Sequence, residues 1–141
     1  MDQEQIKTIT DLNLQCLLNK LQNSELSAEL VLKAYTRKAI EATEATNCVT
    51  EFLYNEALET TRKLDKLSPE LRGPLHGLPF SVKEHYFIKG QEATVGLYSR
   101  LGRKAKNNAA LGMMHIAQHT MICNVICLES LHQMLIFLAR F

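Results

Sequence analysis

Lys83 and Ser81 are the two side chains whose types and spacing point most directly to chemistry. They stand two residues apart in the run L-P-F-S-V-K-E, at positions 78–84. Apolar and polar residues alternate there, which predicts a half-buried strand with Ser81 and Lys83 on one face. A lysine that a strand carries into an apolar layer loses hydration, and its neutral amine can then act as a base. On an exposed outer strand the same lysine would simply point into water.

The approach to this strand is rich in turn-forming residues, Gly73-Pro74 and Gly77. Glycine reaches backbone angles that other residues avoid, and proline fixes its own. His76 and His85 flank the strand, and either could serve as a base because histidine titrates near neutral pH. Neither stands at a recognisable spacing from a nucleophile and an acid. We therefore expect the two histidines to orient or tune the lysine.

Amphipathic helices must support the strand. Leucines at positions 14, 17, 18 and 21 predict a first helix, capped by Thr10 or Asp11. Ser27 caps a second, Asn55 to Leu67 forms a third, and Val49 to Leu53 is either a short strand or the start of that third helix. Residues 109–118 are helical in composition, and 121–128 predict a buried strand. This order indicates an α/β layer arrangement.

The composition limits the classes of function that the sequence supports. An apolar fraction of 46% with 22% charged residues is ordinary for a soluble globular domain. The net charge of +1 gives no reason to expect nucleic acid as a partner. The basic run from Arg100 to Asn108 lacks interleaved aromatic residues, so it is interpreted as an exposed loop. Polar residues interrupt the longest apolar stretch, Met121 to Phe141, before it reaches the roughly 18 residues of a membrane-spanning helix.

The cysteine pattern predicts a reducing, intracellular setting, and we expect a cytoplasmic protein. The four cysteines form no C-x-x-C pair, and no signal peptide follows Met1. His115, His119, Cys123 and Cys127 recur every four residues, as in a metal-binding ladder. On one helix the outer two would lie about 18 Å apart, too far to share one zinc ion. We therefore expect no metal site, and nothing in the sequence implies a cofactor.

From Asp11 to Leu97 the chain resembles the N-terminal part of the amidase signature family. The resemblance is carried, in order, by L-x-x-L-L-x-x-L, S-E-L-S-A-E-L-V, T-N-C-V-T-E-F, R-G-P-L-H-G-L-P-F-S-V-K-E and K-G-Q-E-A-T-V-G-L. Within the family, S-V-K-E and T-N-C-V-T resemble the branch of vertebrate fatty acid amide hydrolase.

This resemblance implies a hydrolase of carboxylic amides, with fatty acid amides as substrates, that uses a Ser-Ser-Lys mechanism. Lys83 occupies the lysine position of the motif. As the implied base, it relays a proton through a bridging serine to a nucleophilic serine. Backbone N–H groups of a glycine-serine loop would stabilise the oxyanion. Ser81 is not the relay serine, and the glycines would let the strand pass close beneath the serine loop.

The departures from the family pattern set the remaining expectations. The family's G-G-S-S-G-G loop does not occur in these 141 residues. Residues 1–98 are expected to form the N-terminal part of an amidase-signature domain, and residues 99–141 a divergent or truncated tail. The expected fold is therefore truncated: an N-terminal helical layer plus the first strands of the family's mixed sheet.

We expect this chain alone to be inactive, because a lysine base without a nucleophile cannot form an acyl-enzyme. One alternative is a non-catalytic interaction protein that forms a homo- or heterodimer with a full-length relative. Another is a truncated product that does not fold stably. Peripheral association with intracellular membranes is compatible with each of these possibilities.

Overall fold

The computed structural model describes residues 1–83, 85–95, 97–110 and the backbone of 121–126. Within these ranges the helices are α1 (Gln3–Thr10), α2 (Leu14–Gln22), α3 (Ala28–Thr46) and α4 (Tyr54–Leu64), with short 3-10 helices at Pro69–Leu71 and Tyr98–Arg100. The strands are β1 (Val49–Phe52), β2 (Pro79–Lys83) and β3 (Met121–Ile126). The α/β class predicted from the sequence is confirmed.

The first helix is one that the sequence reading missed. α1 buries Ile6, Ile9 and Thr10, and the hydroxyl of Thr10 donates to Ile6 O at 3.1 Å within that helix. Thr10 and Asp11 therefore belong to the end of α1 and do not cap α2, as the sequence reading had it. The cap is Asn13, whose side chain accepts a hydrogen bond from Cys16 N at 2.9 Å.

The long helix α3 is capped from two directions. The hydroxyl of Ser27 accepts from Leu30 N at 3.1 Å, as predicted. The carboxylate of Asp65, at the end of α4, also accepts from Ala28 N at 2.6 Å and Glu29 N at 3.2 Å. These N–H groups have no partner inside the helix. α3 ends at Asn47, in the left-handed conformation with φ of 52°.

The core lies where the four helices meet, and α3 also contacts β1 and β2. Its fully buried leucines and valine are Leu17, Leu21, Val31 and Leu32. Each contributes about 1.5–3 kcal/mol through removal of its side chain from water. The leucine stripe predicted for α2 is thus confirmed at Leu17 and Leu21 and in part at Leu18, whereas Leu14, the first residue of the helix, is 58% exposed.

A mixed three-stranded sheet, in the order β1-β3-β2, lies beside the helices. β1 is antiparallel to β3, and β2 is parallel to it. Pairing with β3 makes Val49–Phe52 a strand, which settles the open alternative. The predicted strand at 121–128 is present as Met121–Ile126. β3 occupies the centre of this sheet, so β2 is an edge strand among the described residues.

Candidate functional site

The loop before β2 begins at Arg72, which ties it to the end of α2. The guanidinium donates to Leu21 O at 3.0 Å and Gln22 O at 2.5 Å. It also donates to Leu67 O, from Nη2 at 3.2 Å and from Nε at 3.3 Å. The last carbonyls of a helix have no partner inside it. A charged, planar donor therefore satisfies them and fixes where the loop starts.

Gly77 lets the loop lie directly on the helices. Its φ is +72°, and a Cβ atom there would lie 3.0 Å from Ala28 Cβ and 3.0 Å from Leu21 Cδ2. Leu78 N donates to Leu75 O at 3.1 Å, which closes the turn. The turn predicted from Gly77 is confirmed. Its close neighbours among the described residues are helical side chains, and the close approach to a serine loop that the resemblance implied stays a prediction.

β2 leaves this loop with the predicted alternation. Val82 is buried and packs with Leu53, and Phe80 and Ile88 lie against this pair. Ser81 is partly buried on the other face. Lys83 is the last residue of the strand and is aligned with Ile126 of β3.

The side chain of Lys83 is exposed. The sequence left two alternatives open, burial in an apolar layer and an outer strand that points the lysine into water, and the described residues match the second. Lys83 is the last residue of β2 and lies on the face opposite the buried Val82, and β3, not β2, takes the central position of the sheet. Among the described residues no strand pairs with the outer edge of β2.

The two flanking histidines lie in different environments. His76 is buried, with 2% of its surface exposed, in the loop before β2. His85 is exposed after the strand, and its ring centroid lies 4.3 Å from that of Tyr86. A turn follows β2, because Tyr86 N donates to Lys83 O at 3.0 Å. That either histidine orients Lys83 stays a prediction.

The four residues at metal-ladder spacing, for which no metal site was expected, are His115, His119, Cys123 and Cys127, and their side chains lie outside the described residues. In the parts of the chain that the structure describes, no group of three histidine, cysteine or acidic side chains could hold a metal ion. In the same parts, no helix is both long and apolar enough to cross a bilayer.

Sequence reasoning gave no role to Arg72 or Gln22, although both position β2. Gln22 Nε2 donates to Gly73 O at 2.7 Å. The two contacts join residues about fifty positions apart, so local periodicity carries no sign of them. The available signal was a charged residue opening a glycine-proline turn, which marks a candidate partner for a helix end.

Comparison with known proteins finds similarity to amidases. The family model described as Amidase matches residues 30–118. Amidase 1 of Gibberella moniliformis is 39% identical over 102 residues, which cover 70% of this chain and 20% of that protein. The acetamidase of Emericella nidulans is 35% identical over 109 residues, with coverage of 75% and 20%. The chain thus spans about a fifth of the length of these curated relatives.

Solved structures show the same fold. A fatty acid amide hydrolase superposes with a TM-score of 0.82 at 27% identity, over 89% of this chain and 22% of that one. An amidase family protein from Bacillus anthracis superposes with a TM-score of 0.76 at 21% identity, over 89% and 26%. The second likeness bears on the fold alone.

Proposed function

This chain belongs to the amidase family, and we propose that Lys83 is the general base of an amide-hydrolysing site to which β2 contributes. The observation that carries the proposal is the position of Lys83. It ends a strand whose lead-in loop is fixed by Arg72 and Gly77, and its amine is directed out of the helical core. A base has to be held rigidly and yet reach the reacting atoms.

In this proposal the remaining catalytic groups are two serines on a glycine-rich loop, as the family resemblance implies. Lys83 accepts the proton of the nucleophilic hydroxyl through a bridging serine, and the serine oxygen attacks the amide carbonyl. Collapse of the tetrahedral intermediate breaks the C–N bond, and the amine leaves with the proton that Lys83 returns through the bridging serine. Water then hydrolyses the acyl-serine ester, which releases the carboxylic acid and restores the serine hydroxyl. No two serines are adjacent in these 141 residues. Alone, therefore, this chain provides the base and gives no turnover.

We propose fatty acid amides as the substrate class. The sequence motifs S-V-K-E and T-N-C-V-T support this choice, together with the similarity to the fatty acid amide hydrolase structure. We also propose a cytoplasmic location, with peripheral contact to intracellular membranes.

An active-site probe tests the catalytic proposal. A fluorophosphonate, which reacts covalently with activated serines, should leave the purified chain unlabelled. When a serine-containing segment of a relative is supplied as a second polypeptide, the wild-type chain should permit labelling and Lys83→Ala should not. Labelling of the chain by itself would refute the proposal that the nucleophilic serine lies on another segment. Equal labelling with wild type and Lys83→Ala would refute the role of Lys83.

A second proposal is that the chain pairs with a longer relative through the outer edge of β2. That edge has no neighbouring strand among the described residues, and edges of this kind accept a further strand. Co-expression followed by light scattering tests it. A stable complex that is lost with Ser81→Pro would support pairing, and an unaffected complex would place the interface elsewhere.

A further inference from the structure

Residues 85–95 and 97–108 form a loop after β2 that we call the basic loop. Its own hydrogen bonds hold it: Gly90 N donates to Ala105 O at 2.9 Å, and Ala105 N donates to Gln91 O at 2.8 Å. It carries five basic residues and one acid, Glu92, and so a net charge of +4 in a chain whose net charge is +1. The positive charge of the protein is therefore concentrated here.

Four of these cations line one pocket of about 380 Å³: Arg100, Arg103, Lys104 and Lys106. Within the described residues no carboxylate lies within salt-bridge distance of any of the four. The carboxylate of Glu92 accepts a hydrogen bond from Gly102 N at 2.9 Å. Four cations that line one pocket without a carboxylate partner favour an anionic occupant, since guanidinium and ammonium groups bind phosphate strongly.

The same loop exposes large apolar side chains. Tyr98 is 89% exposed, and Phe87, Leu97 and Leu101 are each at least half exposed. Single exposed apolar residues are ordinary, but here they share one short loop with the cations. Binding of a soluble anion would require only the basic side chains. Aromatic and aliphatic side chains beside lysine and arginine are typical of a surface that enters the headgroup region of a bilayer.

We propose that the basic loop docks onto an anionic lipid surface. Headgroup phosphates occupy the pocket between Arg100, Arg103, Lys104 and Lys106, and Tyr98 with its apolar neighbours lies in the interfacial region. The proposal rests on the charge, the pocket and the exposed ring, and it does not depend on amide hydrolysis.

Vesicle sedimentation of the full 141-residue chain tests the proposal. The chain should partition onto phosphatidylcholine vesicles that contain phosphatidylserine, and far less onto phosphatidylcholine alone. The double variant Arg100→Gln/Arg103→Gln should lower the partition coefficient roughly 25-fold, because each cation near such a surface contributes about fivefold. The matched control Lys63→Gln/Lys66→Gln removes two exposed cations from the end of α4 and should change it little.

A second pair of variants tests the apolar contribution. Tyr98→Ser should weaken partition by roughly tenfold, the loss expected when one aromatic ring is no longer buried. Leu71→Ser changes another exposed apolar residue, 64% exposed, away from the loop and serves as its control. Circular dichroism of all four variants checks that they remain folded.

Three results would overturn the proposal. The first is equal partition onto neutral and anionic vesicles, and the second is an equal loss in a test variant and its control. The third is saturable binding of inorganic phosphate without vesicle binding, which would identify a site for a soluble anion. Loss confined to the basic-loop variants supports it, and the loss in Arg100→Gln/Arg103→Gln should be largest at low salt and shrink as salt is added, because salt screens exposed charges.

Discussion

Replacement of Gly77 by alanine should destabilise the protein much more than the same replacement at Gly90. Both glycines have positive φ, +72° and +87°, so both alanine variants incur a backbone cost of about 1–2 kcal/mol. At Gly90 a Cβ would have no atom within 4 Å. At Gly77 it would lie 3.0 Å from Ala28 Cβ, which is fixed in the first turn of α3, and 3.0 Å from the buried Leu21 side chain. Overpacking of this kind adds about 1–3 kcal/mol.

Urea unfolding followed by circular dichroism measures the difference. With a slope of about 2 kcal/mol per molar urea, Gly77→Ala should lower the midpoint by about 1–2.5 M, and Gly90→Ala by about 0.5–1 M. The difference between the two variants isolates the packing term, since the backbone term is shared. Equal midpoints would refute the inference that the lead-in loop of β2 is pressed against α2 and α3. Gly102→Ala, with φ of +76° and an open environment, provides a second control.

Three further predictions concern the helix ends and pH. Arg72→Ala should cost about 2–4 kcal/mol in urea unfolding, because it leaves three carbonyl oxygens without their charged donor. Arg72→Lys should recover part of this loss, and a cost below about 0.5 kcal/mol for the alanine variant would contradict the anchoring role. Asp65→Asn should cost about 1 kcal/mol by weakening the cap of α3, and its effect should be non-additive with Ser27→Ala in a double-mutant cycle. The hydrogen bond from Lys33, followed by the charges of Lys33 and Arg62, lowers the pKa of Glu29. The stability that Glu29 contributes is therefore present above its unfolded pKa and lost as pH falls through the folded pKa. In Glu29→Gln the free energy of unfolding should fall less steeply as pH is lowered through this range. An unchanged pH dependence would contradict the prediction.

Local sequence patterns predicted the helix caps and helices that depend on residues a few positions apart. The Ser27 cap depends on a side chain and an N–H three residues away, and the leucine stripe of α2 depends on spacing within one helix. α1 was missed because its buried stripe is only two isoleucines in a polar segment. Thr10 was misread as a cap, since a threonine near a helix boundary can equally bond back into the preceding turn.

Contacts between residues far apart in the chain determine the features that local sequence patterns could not predict. Asp65 caps a helix that begins 37 residues earlier, and no local pattern signals such a partner. Whether Val49–Phe52 is a strand depends on β3, more than seventy residues away. The division of the chain at residue 98 stays a prediction.

The exposed position of Lys83 also bears on how it could work. The loop and strand fix where Lys83 lies and leave its side chain in contact with water. In the proposed mechanism the serine loop lies against this same lysine, so the nucleophile and the group that excludes water would arrive together. Without that loop, β2 carries a lysine that has no hydroxyl to act on.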